Sequence, residues 1–262
     1  MYGEFTRKGW DYAMRVSLFI TCLADQLYPE VGESVVRLLH RYGCEVDFPE
    51  AQTCCGQPAY NSGYQDEARE VARQFIRAFE HSDYVVSPSG SCTGMVHHYY
   101  PQLFEKEPVW QAKAEALIGK TYEFSQFLVN VLGVKDLGAE LPVKATYHPS
   151  CHATRLLGVR EEPGELLRNV KGLELIDLPK KEDCCGFGGT FSVKMADISE
   201  AMVCEKAGHV CSTGANVLIG SDMGCLMNID GRLNKENKPV RVMHLAQVLE
   251  EGVKRSESKS RN

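Results

Sequence analysis

The sequence has no apolar run approaching the roughly 20 residues that span a bilayer. It therefore encodes no transmembrane helix. It has no excess of basic residues either. Lys and Arg total 29 against 35 Asp and Glu, a formal charge of −6. That balance argues against nucleic acid or an anionic membrane surface as the main partner. No export signal opens the chain, because Met1 to Asp11 mixes charge with aromatics where a secretory leader has a basic end and an apolar core. No flavin or nicotinamide fingerprint is present. Gly186-Phe187-Gly188-Gly189 is rich in glycine, yet it lacks the G-x-G-x-x-G spacing and follows two thiols. The expected compartment is a reducing cytoplasm, where structural disulfides are rare.

Against these absences stand eleven cysteines, which in a reducing compartment point to metal or redox chemistry. The pair Asp183-Cys184-Cys185-Gly186 has an earlier counterpart in Thr53-Cys54-Cys55-Gly56. Cys22 and Cys92 flank the first pair, and Cys151 and Cys225 flank the second. The offsets are 151 − 22 = 129, 184 − 54 = 130 and 225 − 92 = 133. A near-constant offset across three landmarks marks two copies of one unit of about 130 residues. With 44% hydrophobic residues the chain can fill one large core or two small ones, and the repeat decides for two. The expected domains are 14–133 and 142–252. Residues 1–13 read as an extension, and 253–262, a tail of serine and charge, is expected to be disordered.

The copies share an order of elements. Val16 to Ile20 reads as a strand, Glu33 to Tyr42 as a helix, Glu45 to Phe48 as a strand, Gln65 to Phe79 as a long helix and Tyr84 to Val86 as a strand. Helical patterns follow over Ala112 to Leu117 and Tyr122 to Val131, before a linker at Gly133 to Leu141. In the second copy Val143 to Tyr147, Leu173 to Leu178 and Val217 to Ile219 are strands. Glu165 to Val170, Phe191 to Cys211 and Met243 to Glu250 are helices. Alternating strands and helices imply right-handed crossovers and parallel sheets. The fold class is α/β, with two similar doubly wound, Rossmann-like domains related by a pseudo-two-fold axis. Every cysteine landmark falls just past the carboxyl end of a predicted strand, on the edge where such sheets bind ligands. Four thiols per copy are thereby expected to converge.

Soft thiolates select zinc, copper(I) or iron–sulfur clusters. Structural zinc draws ligands from closely spaced knuckles, whereas here the gaps are long and the only close pair is adjacent. Both sulfurs of an adjacent pair reach one centre only if the backbone turns, and Gly56 and Gly186 supply positive φ for that turn. A cluster several ångströms across suits such spread ligands better than a single ion.

The segments Val16-Ser17-Leu18-Phe19-Ile20-Thr21-Cys22-Leu23, Ala51-Gln52-Thr53-Cys54-Cys55-Gly56-Gln57-Pro58 and Pro88-Ser89-Gly90-Ser91-Cys92 resemble the cysteine-rich CCG iron–sulfur proteins. So do Asp183-Cys184-Cys185-Gly186-Phe187-Gly188-Gly189 and Asp222-Met223-Gly224-Cys225. That family includes the cysteine-rich subunit of heterodisulfide reductase and the iron–sulfur subunit of glycolate oxidase. The resemblance covers residues 14 to 250. It implies a cytoplasmic electron-transfer subunit of a complex that oxidises L-lactate to pyruvate, alongside other iron–sulfur and accessory subunits. In heterodisulfide reductase the unit ends in Cys-x-x-Cys and supplies five thiols. Here Ser89 and Asp222 hold the earlier position. Four remain per copy: Cys22, Cys54, Cys55 and Cys92, then Cys151, Cys184, Cys185 and Cys225. Four thiolates suffice for a [4Fe–4S] cluster, so two such clusters are expected. Two alternatives stay open, a heterodisulfide or thiol–disulfide reductase subunit and a zinc-stabilised interaction scaffold.

Other residues carry weaker signals. His148 and His152 flank Cys151, close enough to hydrogen-bond a cluster there or to relay a proton. Asp222 offers an oxygen ligand or a loop cap. His97 and His98 read as helix surface, Cys44, Cys204 and Cys211 as core thiols, and Arg155, Lys180 and Lys181 as solvated surface.

Overall fold

The structure is a computed structural model that describes residues 14–260. The expected extension at 1–13 lies outside the described residues. The first half builds one parallel sheet from β1 (Met14–Leu18), β2 (Cys44–Asp47), β3 (Tyr84–Ser87) and β4 (Thr121–Glu123), in the order β2-β1-β3-β4. The second half repeats it with β5 (Lys144–His148), β6 (Glu174–Ile176), β7 (Val217–Gly220) and β8 (Arg241–His244), in the order β6-β5-β7-β8. The chain order reverses between β1 and β3, and again between β5 and β7, which makes each of those gaps a topological switch point.

Apolar runs put side chains on both faces of these strands, as a parallel sheet requires. Val85 joins one apolar cluster and its neighbour Val86 another. Helix Gln65–Phe79 buries Ala68, Ala72, Phe75, Ile76 and Phe79, a stripe of helical period. They pack with Phe19, Met95, Tyr100 and Phe104. Helix Pro29–Arg41 starts with proline in its first turn and buries Val31, Val35, Leu38 and Leu39. Its cluster continues through both halves, so the second sheet and the first share a core.

Four expectations need correction. The pattern Tyr122 to Val131 is not helical throughout, because Thr121–Glu123 is the fourth strand and the helix begins at Phe124. Likewise Arg241–His244 is the fourth strand of the second sheet, and the last helix begins at Leu245. The helix expected from Phe191 to Cys211 is two, Phe191–Lys194 and Ala196–Ser212, divided at Met195. The tail is ordered over 253–260, since helix Leu245–Ser260 runs through it. Ion pairs Arg41–Glu257, Lys259–Glu140 and Lys254–Glu250 hold that last stretch, and two of them reach residues that sequence distance hides.

The halves pack reciprocally about the pseudo-two-fold axis. Helix Leu245–Ser260, after β8, lies on Pro29–Arg41. The helix after β4 lies on Glu162–Arg168, the second half's counterpart of Pro29–Arg41. The short helix Cys22–Leu27 contacts Met223–Lys235, and Gly90–Gly94 contacts Cys151–Arg155. Gly90 is obligatory there, because a Cβ would meet that of Ala153 at 2.5 Å. At the axis Ser89 and Asp222 form an antiparallel bridge with each other. This crossed packing brings the two cysteine-bearing edges to the domain interface.

Candidate metal centres

Each cysteine is placed by the strand before it. Cys22 opens helix Cys22–Leu27 after β1, and Cys92 lies in helix Gly90–Gly94 after β3, so the two flank the switch point. Cys54 and Cys55 come from the loop after β2. Cys151, Cys225 and the pair Cys184–Cys185 hold the matching places after β5, β7 and β6. Gly56 and Gly186 turn the chain with φ of +85° and +83°. The second also lies against the following helix, where a Cβ would sit 2.7 Å from the Ser199 carbonyl. Only glycine permits both.

The structure brings together all eight sequence-predicted thiols, in two groups of four. In the first, Cys22 Sγ lies 3.8 Å from Cys54 Sγ, Cys54 contacts Cys55, and Cys55 contacts Cys92. In the second, Cys151 contacts Cys184, Cys184 contacts Cys185, and Cys185 contacts Cys225. Hydrogen bonds from Cys22 and Cys55 pull the Cys54 thiol down to about 3. Those from Cys151 and Cys185 pull Cys184 down to about 2. Their donors Cys22, Cys55, Cys151 and Cys185 are pushed up, through those same bonds and burial. One acidic thiol in each group, set against neighbours that hold their protons, suits a thiophilic metal, which takes thiolates and displaces the remaining protons. Tyr100 OH donates to the Cys55 carbonyl at 3.0 Å, and Asn228 Nδ2 to that of Cys185 at 2.9 Å, fixing each pair from outside.

His148 is buried beside the second group. One of its ring nitrogens and the sulfurs of Cys185 and Cys225 all lie within 4.8 Å of one another. Neither ring nitrogen has a hydrogen-bond partner among the described residues, and burial holds its pKa down to about 4. A buried imidazole with unpaired nitrogens, one of them close to two thiols, fits a bound metal centre. His152 Nδ1 lies 3.5 Å from Cys151 Sγ. Four thiols in each group, with no oxygen donor among them, match the ligand demand of an iron–sulfur cluster.

Asp222 does something else. Its carboxylate accepts from Ser89 Oγ at 3.0 Å, from the Ser91 amide at 2.8 Å and from the Gly224 amide at 3.1 Å. It caps helix Met223–Lys235 and joins the halves. His97 and His98 stay outside both groups, their rings bonded to the carbonyls of Thr121 and Leu156. Cys44 is buried in the core, Cys211 packs against it, and Cys204 is half-buried on helix Ala196–Ser212. Arg155 Nη2 donates to the Glu182 carbonyl, and Lys180 pairs with Glu205 at the surface.

Sequence reasoning missed three buried polar residues. Lys206 is 1% exposed, its Nζ donating to the Lys180 carbonyl at 2.7 Å. With Arg155 and Cys184 it lines a cleft of about 270 Å³. Its signal was available, since a lysine stands among Val203, Ala207 and Val210 on the apolar stripe of its helix. Glu123 and His244 occupy the same end position on β4 and β8. Burial raises Glu123 to about 7, and it caps the next helix through the Ser125 amide at 2.8 Å. His244 Nδ1 accepts from the Ala246 amide at 3.1 Å, and its Nε2 meets the Pro88 carbonyl of the other half at 3.1 Å.

The cysteine-rich domain described as CCG matches the chain twice, over residues 16–97 and 145–230. The chain is 62% identical over 236 residues to lactate utilization protein A of Halalkalibacterium halodurans, covering 90% of this chain and 96% of that protein. It is 58% identical over 240 residues to lactate utilization protein A 2 of Bacillus cereus, covering 92% and 99%. Among solved structures, a hypothetical protein from Helicobacter pylori superposes with a TM-score of 0.58 at 11% identity. That match covers 92% of this chain and 49% of the other, and it speaks for the fold alone. With two matched domains, two convergent cysteine edges and relatives of this identity over nearly their whole length, the chain belongs to the cysteine-rich CCG domain family, in the branch of the lactate utilization A proteins.

Proposed function

We propose that this chain is an iron–sulfur electron-transfer subunit of a cytoplasmic system that oxidises L-lactate to pyruvate, with one [4Fe–4S] cluster in each half. The observation that carries the proposal is the pair of four-thiol groups at equivalent switch points, Cys22, Cys54, Cys55 and Cys92 in one and Cys151, Cys184, Cys185 and Cys225 in the other. The relatives' name supplies the lactate assignment. A cluster bound by four thiolates supplies one-electron transfer.

Lactate oxidation releases two electrons and two protons, and the chain has no fingerprint for a hydride-accepting cofactor. Partner subunits, iron–sulfur and accessory, therefore take the hydride-level chemistry, and this chain relays the electrons. Its own residues shape that relay. Gly56 and Gly186 let adjacent thiolates face one centre. Cys55 and Cys185 are buried at the back of each group, whereas Cys22 is exposed on the first. His148 and His152 stand beside the second group with ring nitrogens toward it. No helix among the described residues is long and apolar enough to cross a membrane.

Anaerobic purification with iron and acid-labile sulfide assay tests the proposal. A brown protein with about eight irons, four per group, is the expected result. A colourless protein with stoichiometric zinc overturns it in favour of a structural scaffold.

A further inference from the structure

The two halves set different side chains behind equivalent cysteines. In the strand registers Ser17 pairs with Val85 as Thr146 pairs with Leu218. Hence Phe19 and His148 are equivalent (148 − 19 = 129). The Ala68 carbonyl faces Gly56 as the Ser199 carbonyl faces Gly186. Hence 199 − 68 = 131, and Phe75 and Lys206 are equivalent (206 − 75 = 131). In the first half Phe19 and Phe75 are fully buried and meet edge to face, ring centroids 4.6 Å apart. In the second half the same places hold an imidazole and an ammonium, 2% and 1% exposed.

Burying an ammonium where an aromatic ring would pack is costly unless charge opposes it. Lys206 has one neutral acceptor, the Lys180 carbonyl. The acidic groups around it are Asp183 and the thiols of Cys184, Cys185 and Cys225, and Cys184, the thiol of that group held low, lines the same cleft as Lys206. Its cation therefore faces the second cysteine group, and the first group has only an apolar wall there.

Resting on the two-cluster reading above, we propose that Lys206 raises the reduction potential of the second site and makes it the more readily reduced of the two. A four-thiolate cluster is anionic and gains one further negative charge on reduction. A fixed buried cation beside it stabilises the reduced state more than the oxidised one. Electrons entering either half then collect at the Cys151, Cys184, Cys185 and Cys225 site.

The test is an anaerobic redox titration followed by electron paramagnetic resonance on the full, iron-loaded chain, with Cys151→Ser identifying the second site's signal. Lys206→Met keeps most of the side-chain volume without the charge, and Lys206→Gln replaces it should the first variant not fold. Lys206→Arg keeps the charge. The expected result is two midpoints, the higher one assigned to the second site. That midpoint falls in the Met or Gln variant, stays in the Arg variant, and the first site's midpoint does not move. Eight irons with equal midpoints, or with a second midpoint unmoved by loss of the charge, overturn this inference and leave the cluster reading standing. A protein without iron overturns both.

Discussion

Ser89 and Asp222 hold the same place in the two halves (222 − 89 = 133) and are bonded to each other, Ser89 Oγ donating to Asp222 Oδ2 at 3.0 Å. A residue of one half thus touches its own counterpart, which happens only at a two-fold axis. In the five-thiol unit of heterodisulfide reductase this is the position of the extra cysteine. Here it ties the domains.

Removing that tie has a cost. Asp222→Ala leaves Ser89 Oγ and the Ser91 and Gly224 amides without their acceptor, and buried donors so orphaned cost about 1–3 kcal/mol each before relaxation. We expect Asp222→Ala to destabilise the metal-free protein by about 2–4 kcal/mol and Asp222→Asn by less. Urea denaturation of the three proteins measures it. Equal midpoints for all three would show that the interface does not depend on this carboxylate.

Cys185→Ser removes one thiolate from the second group and leaves the first intact. Iron content is expected to fall toward half, because a hydroxyl is a hard, poor substitute for thiolate. Cys204→Ser is expected to change iron little, since that thiol lies outside both groups. Iron analysis after anaerobic preparation, with circular dichroism to confirm the fold, compares them. Equal loss in both would mean the ligands are wrongly chosen.

In the metal-free protein Cys54 and Cys184 are held as thiolates down to about 3 and about 2, while Cys22 and Cys151 are held protonated. Thiolate is the nucleophile. At about pH 6, where an ordinary thiol of pKa about 8.5 is almost wholly protonated, iodoacetamide is expected to label Cys54 ahead of its partner Cys22, and Cys184 ahead of its partner Cys151. Peptide mapping by mass spectrometry reads the order. Labelling led by Cys22 or Cys151 would reverse the proton assignment.

His148 and His244 are both held at about 4 by burial, against an ordinary 6.5. Between those values the unfolded chain binds more protons than the folded one, so stability falls as pH drops from about 6.5 to about 4. The shift corresponds to about 3 kcal/mol per histidine. His148→Phe, which installs the first half's residue, is expected to halve the acid-induced loss arising from the pair. Urea midpoints of metal-free protein at neutral and mildly acidic pH measure the slope. An unchanged slope would remove His148 from the account.

Gly186→Ala meets two obstacles, a φ of +83° and a carbonyl 2.7 Å from the new Cβ. Gly189→Ala meets only the first, at φ +61°, with nothing within 4 Å. We expect the second to cost about 1 kcal/mol of backbone strain and the first clearly more. Thermal denaturation of the two variants ranks them, and equal losses would show that the loop can move off its helix.

Much of the fold was legible because three strands of each half and the long helix of the first carry their own pattern. The long helix expected from about Gln65 to Phe79 is there. The fourth strands were not, for a local reason. Thr121–Glu123 and Arg241–His244 are three and four residues long and run straight into helices, so no period of two develops before the helical one begins. The ordered tail was hidden for the opposite reason, since Arg41–Glu257 and Lys259–Glu140 join residues far apart in sequence. The convergence of the cysteines was legible because their spacing repeats across the copies and each landmark follows a predicted strand. The pairing of His148 with Lys206 was not, because it appears only when the two halves are laid over each other.

The crossed packing of helix Leu245–Ser260 on Pro29–Arg41, and of its counterpart on Glu162–Arg168, has an ancestral meaning. Each half covers an apolar helix of the other, so neither is complete alone. A single unit of this design would close that surface with a second copy of itself. The chain thus has the internal plan of a homodimer whose two protomers are joined through residues 133–141. In a true homodimer both sites must be identical, because one gene writes both. Fusion frees each position to mutate separately, and that freedom is what allows a phenylalanine at 75 and a lysine at 206 within one molecule.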